Sequence, residues 1–351
     1  MTREELETLV DDEGGVVAGA DASGSDLTGI DLSGVIFEGT SFRGSSLRGA
    51  NLKEAAFVGC DLSGVDLTGA NMHLSQCHGS SFDRARFHDA DLKVAQLVEC
   101  SFQEADFDRA DMEMLALAKC DVRGARTGRA RTTRIAFASC ITDGLDLSGS
   151  DVSMVIFFEA NLSLSRLDGT SFDKVVFHKT QLQGLDLRRR SFQICSFVEA
   201  DLLGCDLTEA DITQCNFLKA NLAGVELDGV RGEMALFVEA TVTDASFRGA
   251  ELRASQFADA NASRTDFSRA NLTHGVFHRA KCAGALFEGA NLKEADMSYA
   301  DLSMANFTGA NLYRTRLHDI IEDRTLFGPA RSVALGTDEP RARAENFEPR
   351  F

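Results

Sequence analysis

The sequence predicts an all-β solenoid, and three observations predict it. Phe137, Phe157, Phe177, Phe197, Phe217, Phe237, Phe257 and Phe277 stand twenty residues apart in one unbroken series. A finer beat of five runs between them, as in Asp201-Leu202, Asp206-Leu207 and Asp211-Ile212. The three prolines, Pro329, Pro340 and Pro349, all fall near the C-terminus, so none interrupts that beat. A globular core does not space its aromatics this way. Stacked turns of chain do, because each turn sets the same residue over the last.

Residues 1–20 read as an N-terminal cap. Thr2 and Glu5 have capping-box spacing, Leu6, Leu9 and Val10 form one apolar stripe, and Gly14-Gly15 stops the helix. Residues 21–320 form the repeat body. From Leu27 to Leu317 the residues ending in 2 or 7 are apolar except Thr127, Thr132, Thr142 and Gly232. The residue two before each of these centres is small or apolar except Arg190. One large and one small side chain in every five therefore point inward, a period that fits neither a helix nor a plain alternating strand. Residues 321–351 are expected to be a C-terminal cap and polar tail. The beat breaks at 318, Ile320, Ile321, Leu326 and Phe327 plug the far end, and the chain after Pro329 is flexible. Phe347 and Phe351 are candidates to dock on the body.

The repeat resembles that of the pentapeptide-repeat proteins, A-(D/N)-L-x-x, over about 300 residues. Good matches are Ala50-Asn51-Leu52, Ala70-Asn71-Met72, Ala220-Asn221-Leu222, Ala290-Asn291-Leu292, Ala300-Asp301-Leu302 and Ala310-Asn311-Leu312. The resemblance implies a right-handed quadrilateral β-helix with four pentapeptides per coil, hence about 15 coils. At a chain spacing of ~4.8 Å the rod is roughly 70 Å long. It also implies that the Asp or Asn before each centre bonds the backbone of its own turn. About a third of the acidic residues occupy that position, so the net charge of −18 (Lys+Arg 36, Asp+Glu 54) has a structural source. That charge disfavours nucleic-acid binding, which needs a basic surface.

Two columns of pentapeptides end mostly in glycine, which suits a turn with φ > 0. The phenylalanine column ends instead in charges: Glu99, Lys119, Glu159, Lys179, Glu199, Lys219, Glu239, Asp259 and Arg279. Except at Ser139 and from Glu239 to Asp259, opposite signs alternate one turn apart, so like charges seldom stack.

All nine cysteines occupy inward positions and read as small buried hydrophobes. Cys100, Cys120 and Cys140 stack at one-turn spacing in an orientation poorly suited to a disulfide. No C-x-x-C pair exists, so zinc is not expected. Free thiols point to a reducing compartment, the cytoplasm. No apolar run approaches a membrane span, and the first twenty residues lack the features of a signal peptide. Arg123, Arg126, Arg129, Arg131 and Arg134 cluster at the weakest repeats. Arg126 and Arg131 have aspartates one turn away. Arg129 and Arg134 have none in their columns and are the candidate contacts for an anion or acidic partner. Arg190 falls in an inward slot, and a local bulge that turns it outward is the expected account. The seven histidines are scattered and no catalytic arrangement, phosphate loop or cofactor fingerprint is present. The sequence predicts no enzyme, no cofactor and no metal.

One surface stands out. Residues flanking the centres of the phenylalanine column read Ile156, Phe158, Val176, Val198, Leu218, Leu236, Val238 and Val276, and the preceding column adds Val94, Met114, Met154, Ile194 and Met234. Elsewhere the equivalent positions are polar. This apolar strip, about 35 Å long over seven turns at ~4.8 Å each, reads as a docking face for a protein partner or a second copy. The expected function is a non-catalytic protein-binding scaffold. Thr2-Arg3-Glu4-Glu5-Leu6, Gly19-Ala20-Asp21 and Ala310-Asn311-Leu312-Tyr313-Arg314 look similar to pentapeptide proteins encoded in bacterial type VI secretion clusters, which implies an accessory role there. The alternative is a DNA-mimicking modulator of a type II topoisomerase, as in the quinolone-resistance members of the family. Acid mixed with base along the columns and coils uninterrupted by loops count against it.

Overall fold

The fold, obtained as a computed structural model, describes residues 1–345. Phe347 and Phe351 lie outside the described residues. The chain is an all-β solenoid with one short N-terminal helix, coiling right-handed as parallel crossover connections do. Backbone contacts divide it into two compact units, Met1–Gln181 and Leu182–Phe351.

In the first unit, helix α1 (Arg3–Asp12) opens on a complete capping box between Thr2 and Glu5. Leu6 is its buried residue, and the helix packs on the first strand, Val16–Ala18. Gly14 and Gly15, both at positive φ, turn the chain out of the helix. Nine strands then recur at twenty-residue steps: Val16–Ala18, Ile36–Glu38, Ala56–Val58, Gln76–His78, Gln96–Val98, Ala116–Ala118, Ala136–Ala138, Ile156–Phe158 and Val176–His178. They form one parallel sheet with each residue opposite the residue twenty later, as in Phe137, Phe157 and Phe177. In each triplet the middle side chain is buried and the outer two face away from the core. A second parallel ladder joins Thr132–Thr133, Asp151–Ser153 and Ser171–Asp173.

The core is a set of columns. Phe157 stacks on Phe137 at 5.1 Å and on Phe177 at 5.6 Å between ring centroids, nearly parallel. A hydroxyl or thiol in the small inward slot commonly donates to the centre carbonyl of the previous turn, as Ser80 to Phe57, Thr170 to Leu147 and Cys120 to Leu97, while Ser45 and Ser255 donate to the centres of their own turns, Phe42 and Leu252. This is why serine, threonine and cysteine share that slot with alanine. The polar centres follow the same logic. Thr127, Thr132 and Thr142 are buried and donate to the carbonyls of Asp146, Asp151 and Asn161 in the next turn.

In the second unit the ladder continues as single-residue parallel bridges, from Asp186↔Asp206 to Asn306↔Leu326. Phe197, Phe217, Phe237, Phe257 and Phe277 stack at 4.6–5.0 Å. A neighbouring column, Phe247, Phe267, Phe287, Phe307 and Phe327, stacks at 4.7–5.1 Å. The two columns meet edge to face, as for Phe257 and Phe267 at 5.3 Å and 84°. Gly232, the one glycine centre, is enclosed by Leu252 and Ile212, whose side chains take the space a Cβ needs.

Three expectations are corrected. First, the beat does not break at 318. Ile321 and Leu326 are bridge residues of one more turn and are exposed, while Phe327 alone enters the core. The sequence hid this turn because its centre at 322 is an exposed glutamate, paired with Arg331 at 3.6 Å. Second, the chain after Pro329 is ordered through Glu345. A 3-10 helix, Gly328–Val333, leads into a segment whose Leu335 N–H donates to Thr315 O (2.8 Å). Helix α2 (Glu339–Glu345) follows, and Glu345 accepts from Tyr299 Oη (2.6 Å) and lies 3.2 Å from Nε2 of the buried His318. Third, no bulge turns Arg190 outward. Its N–H keeps the usual turn bond to Leu187 O (3.4 Å), Asp211 N–H bonds its carbonyl (2.8 Å), and the side chain is half-buried.

Candidate protein-interaction face

The geometry of the surface follows from one backbone device. With exceptions such as Arg129, where Gly128 takes the left-handed turn instead, the second residue past a centre adopts positive φ in all four pentapeptides of a turn, and glycine is only one of its occupants. Its N–H donates to the next turn, as Lys119 N does to Ala138 O at 2.8 Å. A ladder bond thus offsets the local strain of a left-handed L-residue, about 1 kcal/mol. For most of the glycines there, an added Cβ would meet nothing within 4 Å, so any side chain fits. The charged residues at this position form the pairs their alternation predicts: Lys119–Glu99 at 3.2 Å, Lys179–Glu159 at 3.8 Å, Lys219–Glu239 at 3.6 Å and Arg279–Asp259 at 2.7 Å. Ser139 donates to Glu159 at 3.4 Å.

Large apolar residues at this same position are a different matter. Val94 (φ 58°), Met114 (60°) and Met154 (54°) in the first unit, and Ile194 (56°) and Met234 (57°) in the second, combine a disfavoured backbone with solvent contact. Met114 is 49% exposed and Ile194 53%. A β-branched residue at positive φ is an outlier that packing normally excludes. Leu74 (φ 60°), also exposed, belongs to the same column and the sequence reading passed over it.

The structure places the remaining strip residues as follows. In the first unit Ile156 is exposed and pairs in register with the half-buried Val176, while half-buried Phe158 stacks on His178 at 5.3 Å. In the second unit Val198, Leu218, Leu236 and Val238 are half-buried, and Leu236 bridges Asn216. The first unit's sheet also presents Val16, Ile36, Val58 and Val98, all exposed. Sequence reasoning missed these. The signal was there in triplets such as Val16-Val17-Ala18, whose outer members are as apolar as the buried one.

The acidic positions are occupied structurally. Asp and Asn before the centre accept from the N–H two residues on: Asp21 from Ser23, Asp61 from Ser63, Asp146 from Ser148, Asn221 from Ala223. The Ser23, Thr28 and Ser33 side chains, with the backbone N–H of the same residues, hold Asp21, Asp26 and Asp31 below the usual carboxylate range. The Arg188 guanidinium takes Asp186 down to about 2.

Arg129 and Arg134 are not unpaired, as their columns implied. Arg129 reaches diagonally to Asp108, whose carboxylate also accepts the Arg129 N–H (3.1 Å), and Arg134 lies 3.8 Å from Glu113. Gly128 makes the first contact possible, because a Cβ there would sit 2.6 Å from the Asp108 carboxylate. Arg126 pairs with Asp106 and Arg131 with Asp111 and Glu113.

All nine cysteines are buried thiols, and burial pushes the Cys205 thiol up to about 11. Among the described residues no group of three His, Cys, Asp or Glu is arranged to hold a metal ion, and no helix is long and apolar enough to cross a membrane.

Family models described as a pentapeptide repeat region and as pentapeptide repeats (8 copies) match this chain. The first covers residues 30–107, the second 156–189, 195–231, 235–273 and 276–314. Two of the solved structures similar to this chain are representative. One is HetL, a pentapeptide repeat protein involved in heterocyst differentiation regulation from the cyanobacterium Nostoc sp. strain PCC 7120. It is 20% identical, over 82% of this chain and 88% of that one, with a TM-score of 0.19. The other is full-length QnrB1, a plasmid-mediated fluoroquinolone resistance protein. It is 17% identical, over 84% of this chain and 90% of that one, with a TM-score of 0.14. TM-scores this low carry no weight for a shared role. No curated protein matches the chain.

Proposed function

This chain belongs to the pentapeptide-repeat family, and on that premise we propose that it is a non-catalytic scaffold that binds protein through its apolar outward columns. The observation that carries this reading is the column of exposed large apolar residues at positive φ, Met114 and Met154 in one unit and Ile194 and Met234 in the other. Each carries a left-handed backbone that glycine would adopt at less cost and exposes apolar surface that a charge would not. Strain of this kind is retained at binding surfaces. Ile156, Phe158 and Val176, and Val198, Leu218, Leu236 and Val238, supply the adjoining contact area. Arg129 and Arg134, already answered by Asp108 and Glu113, are secondary contacts for acidic groups on the partner.

The unbroken register from Leu27 to Leu317 supports about 15 coils of a quadrilateral β-helix between terminal segments at 1–20 and 321–351. Nine buried thiols support a reducing compartment, the cytoplasm. The similarity of the termini to proteins of bacterial type VI secretion clusters supports an accessory role at such a system.

The test is cross-linked affinity capture from the native host with wild type and with Ile194→Asp plus Met234→Asp. Aspartate tolerates positive φ, so the variant keeps its circular dichroism. The reading expects partners held by wild type to be lost from the variant, and the same partners recovered from both would refute it.

The net charge of −18 favours one other reading, a DNA mimic acting on a type II topoisomerase. Many of those carboxylates are committed to their own turns or to arginines, which leaves little free acid to imitate phosphate. Inhibition or protection of gyrase supercoiling at micromolar protein would establish the mimic, and no effect would remove it.

A further inference from the structure

Resting on the reading of the apolar columns as a protein-binding face, we propose that the nine-stranded sheet of the first unit receives a second copy of this chain. The copy packs antiparallel, about a two-fold axis lying along the Ala136–Ala138 strand. Shape and charge both point to this occupant.

Two copies of a sheet can meet face to face about an axis parallel to the strands or about an axis perpendicular to them. The perpendicular choice sets each strand on its own twin, so that the bulky Ile156–Phe158 strand meets itself and the alanine strands leave a gap. The parallel choice, centred on Ala136–Ala138, lays Ile156 and Phe158 over Ala116 and Ala118 of the second copy. The Ile156 and Phe158 ridge of each copy then enters a trough of alanines, a condition for close packing, while Val176 and His178 lie over Gln96 and Val98.

The charges at the edge of the sheet obey the same rotation. Their order is Glu99, Lys119, Ser139, Glu159, Lys179. Turned about Ser139, Glu99 meets Lys179 of the second copy, Lys119 meets Glu159, and Ser139 meets Ser139. Along this edge every juxtaposition is of opposite sign or neutral. Had the alternation run unbroken through position 139, the same rotation would set like on like. Within one chain Lys119 is paired with Glu99, Glu159 with Lys179, and Ser139 donates to Glu159. On the other edge Lys93 meets Asp173, and Met114 meets Met154. Arg134 lies near the axis and meets its own twin, with Glu113 of each chain beside it. The five turns involved span about 24 Å by 15 Å at ~4.8 Å per turn. That is below a standard interface, so the dimer is weak, with a dissociation constant on the order of micromolar and marked salt sensitivity.

Sedimentation equilibrium of the full chain tests this. Wild type is expected to shift from monomer to dimer across the micromolar range. Lys119→Glu sets like charges across the axis and weakens the dimer about tenfold. Lys119→Glu combined with Glu159→Lys restores opposite signs between chains while leaving both pairs within each chain repulsive, so recovery to near the wild-type constant isolates the contact between copies. A double variant weaker than the single, or a wild type monomeric at about 500 μM, overturns the proposal. A monomeric wild type leaves the scaffold reading intact, because loss of captured partners through Ile194 and Met234 is read on the other unit.

Discussion

At the scale of single residues, the aspartate before each centre shows how sequence, turn and charge are one feature. Its carboxylate fixes the turn by accepting the N–H two residues on, and the same bonds depress its pKa. A depressed carboxylate contributes stability that is present above its unfolded value and lost as pH falls through its folded value. Asp21, Asp26 and Asp31 are lowered by their own turns, and Asp186 sits at about 2 beside Arg188. The urea midpoint should therefore be flat between about pH 5 and 8 and fall steadily from about pH 4 towards pH 2. A midpoint that holds below pH 3 would show that these turns do not depend on the ionised carboxylate. Residue reading from sequence failed where a contact ran diagonally. Arg129 finds Asp108, twenty-one residues back, because Gly128 lets the backbone close on that carboxylate. Columns counted in steps of twenty do not contain that pair.

At the scale of the turn, the core is a stack of identical layers and its energetics are local. Phe257 lies between Phe237 and Phe277 and takes the edges of Phe247 and Phe267. Replacing it by alanine removes two stacked and two edge contacts and leaves a cavity that rigid neighbouring turns cannot fill. Phe257→Ala should cost about 3–5 kcal/mol in denaturant unfolding, whereas a loss under 1 kcal/mol would mean that the stack relaxes around the gap. The layered core was legible because inward positions repeat every five residues and tolerate few polar types. Turn conformation was legible only where glycine marked it. At Lys119 or Met114 the positive φ is imposed by the bond from its N–H to the next turn, and open space beyond the Cβ admits any side chain. Composition leaves no trace of such a constraint. The last turn was hidden for the opposite reason, since a glutamate, the exposed Glu322 paired with Arg331 at 3.6 Å, occupies its centre.

At the scale of the whole molecule, function rests on what the repeat does not need. The fold requires small and large apolar residues inside and bonded carboxylates at its turns. It has no use for methionine, isoleucine or valine at strained positions in solvent. The candidate face was partly legible, since Met114, Met154, Ile156, Ile194 and Met234 stood out as apolar where other columns are polar. Its backbone geometry, the positive φ of Met114, Met154, Ile194 and Met234, was not. The most direct measurement is therefore a paired one on Ile194→Gly plus Met234→Gly: unfolding free energy and partner capture on the same protein. Glycine relieves the left-handed strain and removes the side chains, so stability should rise by about 1–2 kcal/mol while captured partners are lost. A variant that loses stability, or gains it and still holds the same partners, would contradict the account.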